Sequence, residues 1–302
     1  MGQGPTISTA ICTHSSERLE DLALGLAGIE GQTRPPLEVV VVVDRNPALL
    51  AEVERRWPAL RVIPNADHGG IAGARNTALA AATGDVVAFL DDDARPEPDW
   101  LERLVTAYDD PRVQVVGGWV EPAWDEARPA HLPPELDWVV GCSHRGRPTV
   151  RTEVRNVTGA SISLRRGLVD RIGGFDERVS RKDGGLATCD DTEFCIRVLQ
   201  QVPDSRIVTE PAAVVHHRVT PHRSTWAYLR ARSLAEGESK AQVAAMVGSW
   251  DATSDERHYV RRVLGRAVAR ELFHGRLRGA AGLVTALAWT GWGYLQARRA
   301  VR

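Results

Sequence analysis

The chain has 302 residues, of which 43% are hydrophobic and 25% are charged, and its formal net charge is −1. This composition is typical of a globular protein with enough apolar residues for one large core or two smaller ones. A near-neutral charge gives no overall field that would attract nucleic acid, so we expect no nucleic-acid partner.

The first half of the sequence alternates strand-like and helix-like segments. Strands are predicted over residues 6–13, 39–43, 60–63 and 85–90, and helices over 17–29, 48–57, 71–82 and 99–108. The second strand is a run of valines, which is typical of a central parallel strand buried on both faces. Strands separated by helices of this length predict βαβ units and an α/β fold with a mostly parallel sheet.

The second half is less regular. Residues 120–155 are rich in Pro, Trp and His and lack periodicity, so we interpret them as loops over a site. Short strands are predicted at 161–164, 207–208 and 214–215, and a helix at 191–200. From residue 224 onward the pattern is helical to the end.

The C-terminal region is basic and carries one long uncharged stretch. Residues 261–302 contain nine Arg and one Glu, and residues 279–297 contain no charge. We interpret this stretch as a packed helix, because its Gly, Thr and Gln residues dilute its hydropathy. The second interpretation is peripheral contact with an anionic membrane through Trp289, Trp292 and Tyr294, and a membrane span is the third.

The cysteines and the N-terminus bear on the compartment. The sequence has no CxxC pair and no zinc-ligand spacing, so we expect buried thiols in a reducing environment. The N-terminal residues lack the basic and apolar regions of a secretory signal. We therefore expect a cytoplasmic protein, with contact at the inner face of the membrane as the second interpretation. The cysteines are Cys12, Cys142, Cys189 and Cys195.

Polar side chains follow three predicted strands where the chain leaves the sheet, namely Thr13, Asp44 and the aspartates at 91–93. Ligands of an open α/β sheet bind beyond the carboxyl ends of its strands, so these residues define one crevice. Adjacent carboxylates repel one another unless a cation compensates them. Asp91 and Asp93 project to the same side, where both can reach one Mg²⁺ or Mn²⁺. The alternative is an acidic turn with solvated side chains.

A glycine-rich loop begins the predicted helix between those strands. Gly69, Gly70 and Gly73 let the backbone pass close to a ligand, and the helix start presents free N–H groups. Arg75 adds a charge suited to a diphosphate. The loop matches neither the GxGxxG dinucleotide pattern nor a phosphate-binding loop with GK[ST].

Two later segments supply titratable side chains. Asp190 and Asp191 open an amphipathic helix, where the helix dipole favours acids in any case. That explanation suffices for Asp190, whereas we interpret Asp191 as a general base. His216 and His217 follow a short strand, and each is either a metal ligand or a packing residue.

Taken together, these motifs resemble the family-2 glycosyltransferases, which have the GT-A fold. The resemblance covers residues 6–240 and depends on the order and spacing of the motifs. They are STAICTHSSERLEDL, VVVVD ending at Asp44, GGIAGARN, FLDDD ending at Asp93, NVTGASISLRR, GGFDE, DDTEF and VVHHRV.

The resemblance implies a nucleotide-sugar site in the first half of the chain. Thr13 and Asp44 fall where the family holds the nucleotide base and ribose, and Arg75 falls where it contacts base or diphosphate. Gly70 and Asp92 complete this predicted site.

The resemblance also implies a metal and a base. Asp91 and Asp93 fall on the DxD motif, whose last carboxylate binds the divalent metal. His217 aligns with a later histidine that contacts metal or diphosphate, with His216 as the alternative. Asp191 falls on the catalytic base.

The predicted function is inverting, metal-assisted transfer of a sugar from a UDP-, GDP- or dTDP-sugar to a hydroxyl-bearing acceptor. The acceptor is left open between a lipid-linked glycan, a polysaccharide and a small natural product. One alternative is a non-catalytic nucleotide-sugar-binding protein. Another is a sugar nucleotidyltransferase, which would carry a GxGxR-type loop where this chain has CTHSSER.

The predicted catalytic domain spans residues 1–223. Residues 1–118 form its nucleotide-sugar half and residues 119–223 its acceptor half, and a helical extension follows over 224–302. Trp119, Trp124 and Trp138 could stack on a sugar or an apolar aglycone, although packing is the commoner fate of Trp.

Overall fold

The structure is a computed structural model that describes residues 4–65, 69–180, 185–186, 189–248 and 254–300. In the first half, strands and helices alternate as predicted, except that the short fifth strand follows the fourth directly. They are β1 Ile7–Thr13, α1 Leu19–Glu30, β2 Glu38–Asp44, α2 Pro47–Arg56, β3 Arg61–Asn65, α3 Ile71–Ala81, β4 Val86–Asp91, β5 Ala94–Pro96 and α4 Trp100–Thr106. Single 3₁₀ turns at Ser16–Arg18 and Ala107–Asp109 precede α1 and extend α4.

The second half adds longer strands and a helical C-terminus. The elements are β6 Val113–Trp124, β7 Thr152–Glu153, β8 Ser161–Arg165, α5 Leu168–Ile172, α6 Asp190–Gln201, β9 Arg206–Val219, α7 Trp226–Val247, α8 Ser254–His258, α9 Gly265–Phe273 and α10 Leu277–Ala300. The 3₁₀ helices are Pro134–Val140, Glu177–Val179 and Pro221–Ser224, and a π-helical turn at Tyr259–Leu264 joins α8 to α9.

Within the described residues, all strands join one sheet in the order β3-β2-β1-β4-β8-β6-β9-β5, with β7 paired to β9. β1, β2, β3, β4, β6 and β9 run in one direction, and β5, β7 and β8 run against them. The fold is therefore mixed α/β with a mostly parallel sheet, as expected.

The valine strand β2, next to the edge strand β3, is covered on both faces of the sheet. Val40 and Val42 belong to the apolar cluster on one face of the sheet, and Val41 and Val43 belong to the cluster on the other. All four are buried. Successive side chains of a strand point to opposite faces, so a strand covered on both sides needs apolar residues throughout.

Three sequence-based predictions need correction. Residues 120–124 belong to β6 and not to a loop. The sequence does not show this strand, because Gly117, Gly118 and Pro122 interrupt its alternation of apolar and polar residues. The short strands at 207–208 and 214–215 are parts of β9, which is continuous but shifts its register against β6 between Gly118 and Trp119. The short strand β5 was missed, since it has no pattern of its own and forms by pairing with β9.

The C-terminal helices pack on the rest of the chain, in line with the preferred interpretation of residues 279–297. α10 lies along α7 and also contacts α9. None of the helices in the described part of the chain has both the length and the hydropathy that a membrane span requires. The division into domains at residues 118 and 223 stays a prediction.

Candidate active site

The carboxyl ends of neighbouring strands bring the predicted residues to one cavity. The β1–β4 register pairs Cys12 with Asp91, and the β1–β2 register pairs Thr13 with Val43. The polar residues that follow these strands therefore share one edge of the sheet. This edge lines a cavity of about 820 Å³, whose wall includes Thr13, Asp44, Gly70, Arg75, Asp91, Asp92, Asp93, Asp191 and His217.

His217 is the histidine that faces the aspartates. β5 pairs with β9 so that Ala94 lies opposite His217, and the Arg218 N–H donates to the Asp93 carbonyl over 2.9 Å. His217 Nε2 is then 3.1 Å from Asp93 Oδ1 and 3.8 Å from Asp91 Oδ2. His216 points to the other face, where its Nε2 lies 2.6 Å from Glu97 Oε1.

Asp91, Asp93 and His217 fit a divalent cation. Each offers one ligand atom, and these atoms lie within 4.8 Å of one another. Asp93 Oδ1 is buried and makes no directed hydrogen bond to a described residue, although His217 Nε2 is close. Two carboxylates with one imidazole suit Mn²⁺ better than Mg²⁺, which strongly prefers oxygen.

The charges at this cluster shift its protonation. Burial by itself would raise the pKa of the Asp93 carboxyl, but the nearby positive charges of His217, Arg18 and Arg223 together outweigh it, and the pKa falls below its ordinary value. Burial likewise disfavours charged His217, yet Asp93 raises the pKa of that imidazole well above its ordinary value. These shifts favour the pair as carboxylate and imidazolium, and a divalent cation held by both side chains would require the imidazole to be neutral.

Two arginines that sequence reasoning missed surround the aspartates. Arg18 bonds to Asp92, and its Nη2 lies 3.3 Å from Asp93 Oδ2. Arg223 Nη2 lies 3.4 Å from the same oxygen. These arginines are far from the aspartates in the sequence, so no local motif predicts the contacts, which only the fold creates. Asp92 is thus engaged by Arg18, and its role toward a nucleotide sugar stays a prediction.

Asp191 is held at the cavity wall by backbone donors. Its Oδ2 accepts from Gly159 N over 2.8 Å, and its Oδ1 accepts from Thr192 N over 2.6 Å. Burial and the neighbouring charge of Asp190 raise the pKa of the Asp191 carboxyl. A carboxylate with a raised pKa is a better proton acceptor at neutral pH than an ordinary one.

Arg75 links the backbone segment that holds Asp191 to Asp91, one of the three possible metal ligands. Its Nη1 donates to Asp190 Oδ2 over 2.7 Å, and its Nη2 donates to the Gly159 carbonyl over 3.2 Å and lies 3.8 Å from Asp91 Oδ1. The guanidinium is buried and engaged within the protein, so it positions the acids around it. Whether it also contacts a diphosphate stays a prediction.

Asp44 positions the glycine-rich loop. Its Oδ2 accepts from Gly70 N over 2.8 Å, and its Oδ1 accepts from Asn65 Nδ2 over 2.7 Å. Gly70 has φ 105°, which favours glycine, and it precedes α3 directly. The loop residues 66–68 lie outside the described part of the chain.

The far wall of the cavity is formed by the middle segment and the C-terminal helices. Trp138 lines it and donates from Nε1 to the Tyr259 hydroxyl over 3.1 Å. Trp119 and Trp124 do not line it. Glu236 and Lys240 of α7 face the same space and pair with each other over 3.0 Å.

Comparison with known proteins identifies the family to which the chain belongs. The sequence model of the family described as Glycosyl transferase family 2 matches residues 8–173, more than half of the chain. The chain is 35% identical over 238 residues to a glucosyl-dolichyl phosphate glucuronosyltransferase of Haloferax volcanii, covering 78% of this chain and 76% of that protein.

Solved structures show the same fold. One is a mannosyltransferase of Pyrobaculum calidifontis with GDP-mannose and Mn²⁺, with TM-score 0.61 and 19% identity, covering 97% of this chain and 88% of that one. Another is GalNAc-T7 with UDP, GalNAc and Mn²⁺, with TM-score 0.57 and 14% identity, covering 86% and 58%. Both likenesses identify the GT-A fold.

Proposed function

Because this chain belongs to glycosyltransferase family 2, we propose that it transfers a sugar, with inversion at the anomeric carbon, from a nucleotide-diphosphate sugar to an acceptor hydroxyl. One observation carries the proposal. Asp191, with its raised pKa, lines the same cavity as Asp91, Asp93 and His217 and is linked to them through Gly159 and Arg75.

Asp191 acts as the general base in this proposal. It accepts the proton of the acceptor hydroxyl while that oxygen forms its bond to the anomeric carbon. The bond from that carbon to the diphosphate oxygen breaks, and the nucleoside diphosphate leaves with the electron pair. Attack from the face opposite the leaving group inverts the configuration.

Asp91, Asp93 and His217 would hold a divalent cation, for which Mn²⁺ is the better candidate. The cation would supply positive charge where the leaving diphosphate becomes more negative. Arg18 and Arg223 hold the acidic turn in place, since each reaches Asp93 Oδ2.

One relative indicates a class of donor sugar and a class of acceptor for this chain. The Haloferax volcanii protein is named for a glucuronosyl donor and a glucosyl-dolichyl phosphate acceptor. We therefore propose a sugar on a lipid phosphate as the acceptor. The donor nucleotide is left open between UDP, GDP and dTDP, because one structural neighbour holds GDP-mannose and another holds UDP.

A lipid-linked acceptor requires approach to a membrane, and α9 and α10 present a suitable surface. Phe273 is 87% exposed and Leu277 is 70% exposed. The exposed face of α10 continues through Val284, Trp292 and Leu295. Basic ends with an apolar middle match an anionic lipid surface.

The replacement Asp191→Asn tests the proposed chemistry. The amide cannot accept the hydroxyl proton, so transfer should fall by about 10²- to 10⁴-fold. Binding of the donor with Mn²⁺ should stay near wild type, because the side chain keeps its size. Transfer is measured with UDP-glucuronate, UDP-glucose and GDP-mannose and a prenyl-phosphate glucoside, and donor binding is measured by calorimetry.

Asp170→Asn is the matched control, since Asp170 is exposed on α5 and lies outside the cavity wall. The control should transfer at the wild-type rate. Transfer by Asp191→Asn within about threefold of wild type would show that another group removes the proton. A product that retains the donor's anomeric configuration would contradict the inverting mechanism.

A further inference from the structure

The Lys and Arg side chains on the cavity wall are almost all paired with carboxylates. The pairs, each within 4.0 Å, are Arg18–Asp92, Arg75–Asp190, Arg155–Glu256, Arg223–Asp93, Arg232–Glu236 and Lys240–Glu236. Paired charges of this kind are fixed within the protein. They offer little net charge to a substrate.

Arg147 is the exception among the Lys and Arg side chains that line the cavity in the described part of the chain. Its Nη2 donates to the Asn156 carbonyl over 2.7 Å, and its Nη1 lies 3.4 Å from Thr158 Oγ1. Both acceptors are neutral, and no carboxylate of the described residues lies within ion-pair distance. Burial lowers the pKa of this guanidinium, and the more distant charges of Asp191 and Asp255 oppose that shift without reversing it.

The position of Arg147 connects it with the acceptor side of the site. Thr158, one of its partners, precedes Gly159, whose N–H binds Asp191. The preceding residue, Gly146, lies so close to Val263 that a Cβ there would be 2.7 Å from the valine side chain. Arg147 therefore lies between the proposed base and the C-terminal helices.

We propose that Arg147 forms a subsite for an oxyanion carried by a sugar substrate. The shared chemistry is a carboxylate or phosphate held by the flat, forked guanidinium. The oxyanion is either the carboxylate of a uronosyl donor or the phosphate that links an acceptor sugar to its carrier. The inference rests on the proposed function, because it assumes that sugar substrates meet at Asp191.

Equilibrium binding tests the subsite without turnover. In the presence of Mn²⁺, the first arm compares UDP-glucuronate with UDP-glucose. The second arm adds UDP and compares glucose 1-phosphate with methyl glucoside. Wild type should prefer the charged ligand by at least about tenfold in one arm. Arg147→Gln should lose that preference and bind the neutral ligand unchanged, and Arg147→Lys should keep part of it.

Arg145→Gln is the matched control, because Arg145 is exposed in the same loop and does not line the cavity. It should keep the full preference. The arm in which the preference appears identifies the source of the oxyanion. The subsite is disproved if wild type prefers the charged ligand in neither arm, or if Arg147→Gln weakens charged and neutral ligands equally.

These measurements separate the two proposals. Binding preference does not require proton transfer, so it survives if Asp191 turns out not to be the base. Conversely, loss of transfer in Asp191→Asn with no effect of Arg147→Gln would support the chemistry and disprove the subsite.

Discussion

Two adjacent histidines differ in role because strand geometry sends them to opposite faces. His217 lies 3.1 Å from Asp93 and is buried, whereas His216 is half-exposed and contacts Glu97. Their sequence neighbourhood is the same. The alternation of β9 sends them to opposite faces, and the pairing of β9 with β5 sets which of the two faces the aspartates.

This difference predicts unequal effects on metal binding. His217→Gln should weaken Mn²⁺ affinity in the presence of UDP by at least about tenfold, because an imidazole ligand is lost. His216→Gln, the matched control, should leave affinity near wild type. Affinity is measured by paramagnetic resonance of free Mn²⁺. Equal weakening in both variants would remove His217 from the proposed ligand set.

Among the helices, α7 and α10 pack through glycines at their contact. A Cβ at Gly293 would lie 2.2 Å from the Leu234 carbonyl oxygen, and one at Gly237 would lie 2.0 Å from the Thr290 carbonyl oxygen. Glycine therefore permits a close approach that any larger residue would prevent. This contact also fixes α10 beside the cavity, whose wall includes Ala286, Leu287 and Thr290.

A pair of substitutions two residues apart tests this packing. Gly293→Ala should lower the free energy of unfolding by about 1–3 kcal/mol, because the methyl group forces the helices apart. Gly291→Ala meets nothing within 4 Å and should raise it by about 0.5–1 kcal/mol, because alanine is the better helix former. Urea unfolding measures both. Stabilisation by both changes would show that the two helices do not approach closely.

For the whole molecule, apolar exposure and basic charge coincide on one surface. The exposed apolar residues Val284, Trp292 and Leu295 of α10 lie between Arg276 and Arg278 at one end and Arg298 and Arg299 at the other, and exposed Phe273 of α9 precedes the first pair. No Asp or Glu follows Glu271 in the sequence. Large exposed apolar patches mark interaction sites.

This surface predicts binding to anionic vesicles. The full chain should sediment with phosphatidylglycerol-containing vesicles at low salt and much less with phosphatidylcholine alone, because arginines are drawn to anionic headgroups. Phe273→Ser should weaken binding by about tenfold or more, because it removes an exposed aromatic ring that would be buried in the lipid.

Leu37→Ser is the matched control, since Leu37 is an exposed apolar residue directly before β2. It should bind vesicles like wild type. Indifference of binding to anionic lipid, or an equal loss in both variants, would contradict the membrane surface.

Much of the secondary structure of this protein could be predicted from local sequence patterns. The valine strand, the helix after the glycine-rich loop and the acidic end of β4 all have strong short-range signals. Parallel topology then places Thr13, Asp44 and 91–93 at one edge, because successive parallel strands end on the same side. The structure brings these residues and Asp191 to one cavity, and their chemical roles stay predictions.

The remainder was decided by contacts between distant residues. Arg18 meets Asp92 across 74 positions, and the pairing of β5 with β9 selects His217 over His216. That no carboxylate of the described residues pairs with Arg147 is likewise invisible in the sequence, which contains as many acids as bases to within one. Local patterns specify elements and their order, whereas pairing between side chains depends on which surfaces the folded chain brings within a few ångströms.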